Sequence, residues 1–355
     1  MPRVLYAVLH WGLGHASRSI PIIHRLINNN VRVVIASDGV ALHLLRQHFP
    51  QLESLTLPTF NVRYSHASLW QNVLRHGWYW YMSVYRDHHF IRRWLRSHEV
   101  DGIISDHRLG IWAADLPSVL IAHQLTIPLQ PRWLHRLVNS WHYRHCRKYH
   151  HIWVPDYPDR RLSGTLSHCP EAQLAFIGPQ SQFSTYTHGT NAPPKRKAIA
   201  VLSGPEPFRT TVEATLCAAL EDLQWPYLLV RGTTTPQPIL HRLRYGTAVD
   251  FLSGEELFQA IRDSEFYIGK AGYSTLMDLE YLRKPALLIT TPTQPEQVYL
   301  AQYHRHHPYW HFVPPEASAI REGIKWLAEK QPPPPTATTE DSLKKTLNHF
   351  INRLK

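Results

Sequence analysis

Apolar positions along the chain gather into short runs separated by longer stretches of mixed polarity, and this alternation persists through most of the 355 residues. Residues 4–9 are six consecutive apolar side chains, which read as a strand covered on both faces. Residues 12–17 read as a turn, 20–27 as an amphipathic helix and 31–36 as a second, β-branched strand, so the chain opens with a βαβ unit. Further apolar runs at 102–105, 118–122 and 152–154 alternate with helical or irregular segments, as a parallel sheet between helices requires.

The periodicity lapses around residues 179–197, which are rich in turn formers, and then restarts. Strands are predicted at 198–202, 227–231, 249–252, 266–268 and 286–290, with helices at 209–223, 255–262 and 274–282. The division that follows is an N-terminal domain over 1–178, a linker over 179–197, a C-terminal domain over 198–331 and a proline break with a last helix over 332–355. Thr339, Glu340 and Asp341 supply a cap and an acidic first turn for that helix, expected from 342 to 354. A hydrophobic content of 43% over this length suffices for two α/β cores.

Composition narrows the function classes. The three cysteines, Cys146, Cys169 and Cys217, lack the spacing of a metal site or disulfide framework. Residues 1–10 fit neither a signal peptide nor a membrane span, and the expectation is a cytoplasmic protein. The formal charge of +11 points to anionic partners. From Leu116 to Pro155 there is no Asp or Glu, while Arg132, Arg136, Arg144, Arg147 and Lys148 interleave with Trp133, Trp141, Tyr143, Tyr149 and Trp153. Residues 64–96 and 132–153 are suited to an anionic membrane surface at its inner face, and equally to a solvated basic face with core aromatics.

Two loops carry the candidate chemistry. Gly12-Leu13-Gly14-His15 follows the first strand, where glycines permit a sharp turn and leave a helix start open to a ligand; the same residues also fit a plain connecting turn. A dinucleotide fingerprint would have a third Gly at Ser17 and an acidic residue after the second strand, a place filled by Asp38. An imidazole at His15 is suited to take a proton from an acceptor hydroxyl. Asp106, at the end of the 102–105 run, either orients that imidazole or caps the next turn. His123 and Gln124, after the 118–122 run, are candidates on the acceptor side.

The second loop is Gly269-Lys270-Ala271-Gly272-Tyr273-Ser274-Thr275-Leu276-Met277-Asp278, between a strand and a helix. Gly272 permits close backbone approach, Ser274 and Thr275 offer donors to phosphate oxygens, and Asp278, one turn on, reaches ribose hydroxyls. Ser203 and Gly204 precede Arg209, a fixed cation for a diphosphate, with Lys270 as a further one. Gln294, Glu296 and Gln297 form a polar set suited to sugar hydroxyls.

Taken together these residues resemble the family 28 glycosyltransferases, typified by the N-acetylglucosaminyltransferase of peptidoglycan lipid II synthesis. The resemblance covers the His15 loop and, more specifically, residues 198–301. There Gly204 to Arg209 resembles the family's glycine loop, Gly272-x-x-Thr275-x-x-Asp278 its helix start with Asp for Glu, and Gln294 to Gln297 its Gln-rich loop. It implies a GT-B fold, α/β with two Rossmann-like doubly wound domains facing a cleft. It also implies a UDP-sugar held mainly by the C-terminal domain, main chain near Phe251 and Leu252 reading the base, and inversion at the anomeric carbon. No Asp-x-Asp occurs, so the expectation is metal-independent transfer of a hexose or N-acetylhexosamine, with no cofactor beyond the UDP-sugar co-substrate, to an acceptor that the sequence does not identify. Rival readings are a UDP-sugar 2-epimerase of the same fold, a nucleic-acid-binding protein, and a nicotinamide dehydrogenase resting on Gly12 to Asp38; nucleic acid is not a partner under the transferase reading.

Overall fold

The computed structural model describes residues 1–59, 69–170, 172–186, 194–204, 206–233, 243–333 and 341–354, with the backbone alone for 69–76. The chain divides between Gln182 and Phe183 into two compact units, within the segment read as a linker. Thr339, Glu340 and the tyrosine at 64 lie outside the described residues. Among the described residues, no helix is long and apolar enough to cross a membrane.

The N-terminal unit is built on a parallel seven-stranded sheet in the order β3-β2-β1-β4-β5-β6-β7. Its first strand, β1 (Arg3–Val8), pairs with β2 (Arg32–Ser37) on one side and β4 (Gly102–Asp106) on the other. β1 sends Val4, Tyr6 and Val8 into one core and Leu5 and Ala7 into another, which is why its pattern is continuously apolar. Helix α1 (Gly14–Asn28) covers the first of these faces and α2 (Gly39–His48) packs beside it. The next elements are β3 (Glu53–Thr56), α3 (Leu69–Trp94), β5 (Ser118–Ile121), α4 (Arg132–Cys146), β6 (His151–Val154) and β7 (Leu174–Phe176).

Helix α1 begins earlier than the sequence suggests. The amide of Ser17 already donates to the carbonyl of Leu13 at 2.8 Å, so residues 14–17 are the first helical turn rather than part of a loop. Pro21 sits inside the helix, and the glycines at 12 and 14 are what obscure its start in the sequence.

The C-terminal unit repeats the scheme with a six-stranded parallel sheet, β10-β9-β8-β11-β12-β13. Its strands are β8 (Arg196–Val201), β9 (Tyr227–Val230), β10 (Gly246–Val249), β11 (Ser264–Lys270), β12 (Ala286–Ile289) and β13 (Trp310–Val313). Helices α5 (Phe208–Asp222), α6 (Gly254–Arg262), α7 (Tyr273–Leu282), α8 (Pro295–Tyr303) and α9 (Ala317–Ala328) connect them. The strand expected at 249–252 ends at Val249: Gly246 pairs with Tyr227, whose ring fills the space a side chain would need there.

The last helix, α10 (Ser342–Ile351), belongs to the N-terminal unit. Asp341 is its cap, accepting from the amide of Lys344 at 3.1 Å. Leu343, Leu347 and Phe350 enter the same core as β1 and α1, and the Phe350 ring meets Trp153 edge-on at 5.7 Å. Truncating Phe350 to Ala removes a fully buried ring, and the N-terminal unit is expected to lose about 3–5 kcal/mol. Urea unfolding followed by tryptophan fluorescence checks this, since nine of the twelve tryptophans precede Gly178.

Candidate active site

In a doubly wound sheet, ligands bind beyond the carboxyl ends of the strands where the order reverses. That place is between β1 and β4 in the N-terminal unit and between β8 and β11 in the C-terminal unit. The two loops singled out in the sequence follow strands at these two positions.

At the first position, His15 is in the opening turn of α1 and Asp106 is the last residue of β4. His15 Nδ1 lies 2.8 Å from Asp106 Oδ1. Asp106 has no exposure at all, whereas the side chain of His15 retains 13%. Burial alone would raise the Asp106 pKa, yet the Arg18 guanidinium and the His15 contact outweigh it and hold the carboxyl well below its usual range. An ionised carboxylate accepts, so Nδ1 carries the proton and Nε2 keeps its lone pair. The pKa of His15 itself is lowered, first by burial and next by Arg18, so the ring is neutral at physiological pH.

Arg18 escaped the sequence reading. With residues 12–17 taken as a turn, nothing places it beside His15; with the helix starting at Gly14 the two are three apart and share a face. Its Nε donates to Asp106 Oδ2 at 2.7 Å and its Nη2 to Asp106 Oδ1. Nη1 lies 2.7 Å from His123 Nδ1. His123, expected on the acceptor side, is therefore corrected: it is 5% exposed and takes a bond from Arg18. Gln124 is half-buried, and its backbone bonds His142, whose pKa burial lowers to about 4. His107 completes the group of imidazoles, its ring 5.5 Å from that of His15 and 5.9 Å from that of His123, and burial lowers its pKa.

Asp38 does not stand free for a ribose. It is 1% exposed and bound to Arg108 Nη1 at 2.7 Å, while Asp87 takes Arg108 Nε at 2.7 Å. A carboxylate buried against a guanidinium is spoken for, and the dinucleotide reading of Gly12 to Asp38 is lost with it.

At the second position, Gly204 has φ of 108°, a region that glycine enters freely, and a Cβ there would lie 2.3 Å from Lys270 Nζ. Lys270 ends β11, its ammonium 4.7 Å from the centre of the Phe208 ring. Among the described residues it forms no ion pair, and burial lowers its pKa to about 8. Helix α7 begins just beyond. Gly272 is its N-cap, with extended backbone and no capping side chain. A Cβ at Gly272 would meet nothing nearer than Thr275 Oγ1 at 3.8 Å, so among the described residues no side chain beyond its chain neighbours crowds this helix start. Ser274 and Thr275 lie in its first turn and Asp278 one turn later, all half-buried. An uncapped helix start leaves backbone N–H groups without intrahelical partners, a chemistry suited to an anion.

The remaining candidates divide. Ser203 is exposed, Phe251 is 40% exposed and Leu252 half-buried, the last two in the loop leaving β10. Glu296 is half-buried in the first turn of α8. Arg209 is corrected: it is 2% exposed, donates to Glu206 at 2.6 Å and to Glu213 at 2.5 Å, and takes part in the scaffold instead of meeting a diphosphate. Gln297 is likewise turned inward, accepting from the amide of Thr291 at 2.8 Å and donating to Gln294, so both amides shape their own loop.

No protein-family model and no curated protein sequence matches the chain. Solved structures do. The glycotransferase of kitacinnamycin superposes with a TM-score of 0.67 at 14% identity, covering 100% of this chain and 95% of the other. The fold is that of the GT-B glycosyltransferases. LpCGTa in complex with UDP gives a TM-score of 0.64 at 13% identity, covering 99% of each chain. The spinosyn rhamnosyltransferase SpnG complexed with thymidine diphosphate gives 0.63 at 15%, covering 99% of this chain and 96% of that one.

The scaffold role of Arg209 has a direct consequence. Arg209→Ala leaves Glu213, itself only 4% exposed, with Arg231 as its remaining cation. The C-terminal unit is expected to lose roughly 3 kcal/mol of stability, measurable by chemical denaturation, because one partner of a buried pair has gone.

Proposed function

We propose that this protein is an inverting glycosyltransferase that moves a hexose or N-acetylhexosamine from UDP to an acceptor hydroxyl, without a divalent ion. The observation that carries the reading is the bond between neutral His15 and ionised, buried Asp106 at a ligand-binding crevice of a GT-B fold. As the acceptor oxygen attacks the anomeric carbon, its proton passes to His15 Nε2. The bond from that carbon to the diphosphate breaks and its electron pair leaves with the phosphate, so a single displacement inverts the centre. Asp106 then faces the imidazolium it helped to form.

The bare start of α7 and the Lys270 ammonium meet the charge on the diphosphate, with Asp278 placed for the ribose and the main chain at Phe251 and Leu252 for the base. Two considerations support UDP: the resemblance of Gly272-x-x-Thr275-x-x-Asp278 to family 28, and pyrimidine nucleoside diphosphates in the structural neighbours LpCGTa and SpnG. Glu296 is suited to a hydroxyl of the sugar.

The acceptor, on this reading, is presented at an anionic membrane. Trp78 and Tyr85 of α3 are 71% and 63% exposed, and Trp133 of α4 is 61% exposed. They are accompanied by exposed Arg86, Arg136, Arg144 and Lys148, and Asp87, the acidic residue of α3, is buried against Arg108. Such aromatic and cationic side chains suit the headgroup region of an acidic bilayer. Co-sedimentation is expected with phosphatidylglycerol vesicles and not with phosphatidylcholine, and a Trp78→Ser, Trp133→Ser double variant is expected to stay in solution. Equal recovery of the two proteins with anionic vesicles would remove the membrane reading.

His15→Ala is expected to lower the transfer rate at least about 100-fold while UDP affinity is kept, as measured by turnover and calorimetry. Full transfer by that variant would discard the base; conversion of donor to its 2-epimer with no acceptor present would favour the epimerase. Lys270 adds a pH dependence. Its charge is present below its pKa of about 8 and fades above it, so UDP affinity is expected to fall as the pH rises through that value. Lys270→Ala is expected to bind UDP about tenfold more weakly at neutral pH and to lose this alkaline decline.

A further inference from the structure

Arg18 faces its carboxylate differently from the other buried arginine of the N-terminal unit. Arg108 is shared between two carboxylates, Asp38 and Asp87, and is a neutralised structural centre. Arg18 bonds the Asp106 carboxylate and, through Nη1 at 2.7 Å, His123 Nδ1; its Nη2 and His15 Nδ1 lie 2.9 Å apart as two donors to the same Asp106 Oδ1. The guanidinium, at 2% exposure, thus holds both oxygens of the Asp106 carboxylate while touching the ring that Asp106 orients.

We propose that Arg18 is a positioning residue for His15: its planar fork fixes the Asp106 carboxylate in the direction that receives Nδ1–H, and its charge keeps the imidazole unprotonated until an acceptor arrives. A buried Asp beside a His, with no other charge, favours the imidazolium and leaves the ring with a proton already on Nε2. Pairing the carboxylate with Arg18 turns a local negative charge into a dipole. The ring still has an acceptor for Nδ1–H, but it is no longer driven to hold a second proton. The groups facing His15 within its unit are Arg18 on its own helix, Asp106 at the end of β4, His107 just after it and His123 after β5. Of these only Asp106 favours the charged ring, and the lowered pKa of His15 is in keeping with that balance. His123 gives the guanidinium a third anchor, which stops it from rotating off the carboxylate.

This inference rests on His15 as the base, yet the coupling of Arg18 to His15 is measurable without turnover. Histidine-labelled protein is titrated by NMR, with the His15 signal assigned by its loss in His15→Gln. In Arg18→Gln the midpoint of His15 is expected to rise by about one pH unit or more, because a cation has left and the carboxylate remains. The acid limb of the transfer profile moves upward with it, so activity is lost at a higher pH on acidification. Arg18→Lys keeps a charge without the fork. It is expected to shift the midpoint less, in the same direction, and to lower kcat on the pH plateau about tenfold with donor KM unchanged. It also serves where Arg18→Gln does not fold. A folded variant whose His15 midpoint and acid limb both stay at the wild-type values overturns the proposal. A shifted midpoint in a protein that transfers no sugar upholds the coupling and discards the glycosyltransferase reading instead.

Discussion

The negative charge of Asp106, fully withdrawn from water at the junction of β1 and β4, is the constraint on which the N-terminal site is built. A buried carboxylate persists only where partners satisfy it. Here these are Arg18, His15 and, at 3.3 Å, the hydroxyl of Ser19, all from the first turns of α1. The helix must begin where it does, at Gly14, for the three side chains to reach one acid. The parallel sheet brings Val8 and Asp106 into register as partners, so the strand that leads into α1 and the strand that ends in the acid finish side by side.

The C-terminal unit has the same winding and the opposite electrostatics. In place of a satisfied acid, the crevice between β8 and β11 holds a glycine at a backbone angle suited to it, a lysine with no ion-pair partner among the described residues and a helix start with no cap. Buried Arg209, Glu213 and Arg231 and half-buried Asp250 bond in series. That series engages Arg209 and Arg231 with carboxylates, whereas Lys270 forms no ion pair among the described residues. Two Rossmann-like sheets therefore carry different chemistry at their crevices, a histidine bonded to a buried acid in one and a lysine beside an uncapped helix start in the other.

Much of this was legible in the sequence because strands buried on both faces announce themselves as uninterrupted apolar runs, as at residues 4–9 and 286–290. Short edge strands such as β7 and β13 and the half-polar α8 carry no such signature and went unread. The pairing of His15 with Asp106 was legible from their places at strand ends. Arg18 was hidden by Gly12 and Gly14, which argued for a turn where a helix forms. The choice of Arg209 over Lys270 went astray for another reason: a sequence displays a cation but not the carboxylates that neutralise it, here Glu206 and Glu213. Asp38 failed in the same way through Arg108. The cap signal at Thr339, Glu340 and Asp341 predicted a last helix, and only the fold reveals that its partner is the first sheet.

Where a nucleoside diphosphate settles on the protein is the decisive measurement. Backbone amide spectra of protein labelled at glycine, serine and threonine, recorded during a UDP titration, measure this directly. Saturable shifts at Gly272, Ser274 and Thr275, with Gly12 and Gly14 little changed, are the predicted result. No shifts at millimolar nucleotide, or shifts centred on Gly12, Gly14 and Ser17 instead, would contradict it.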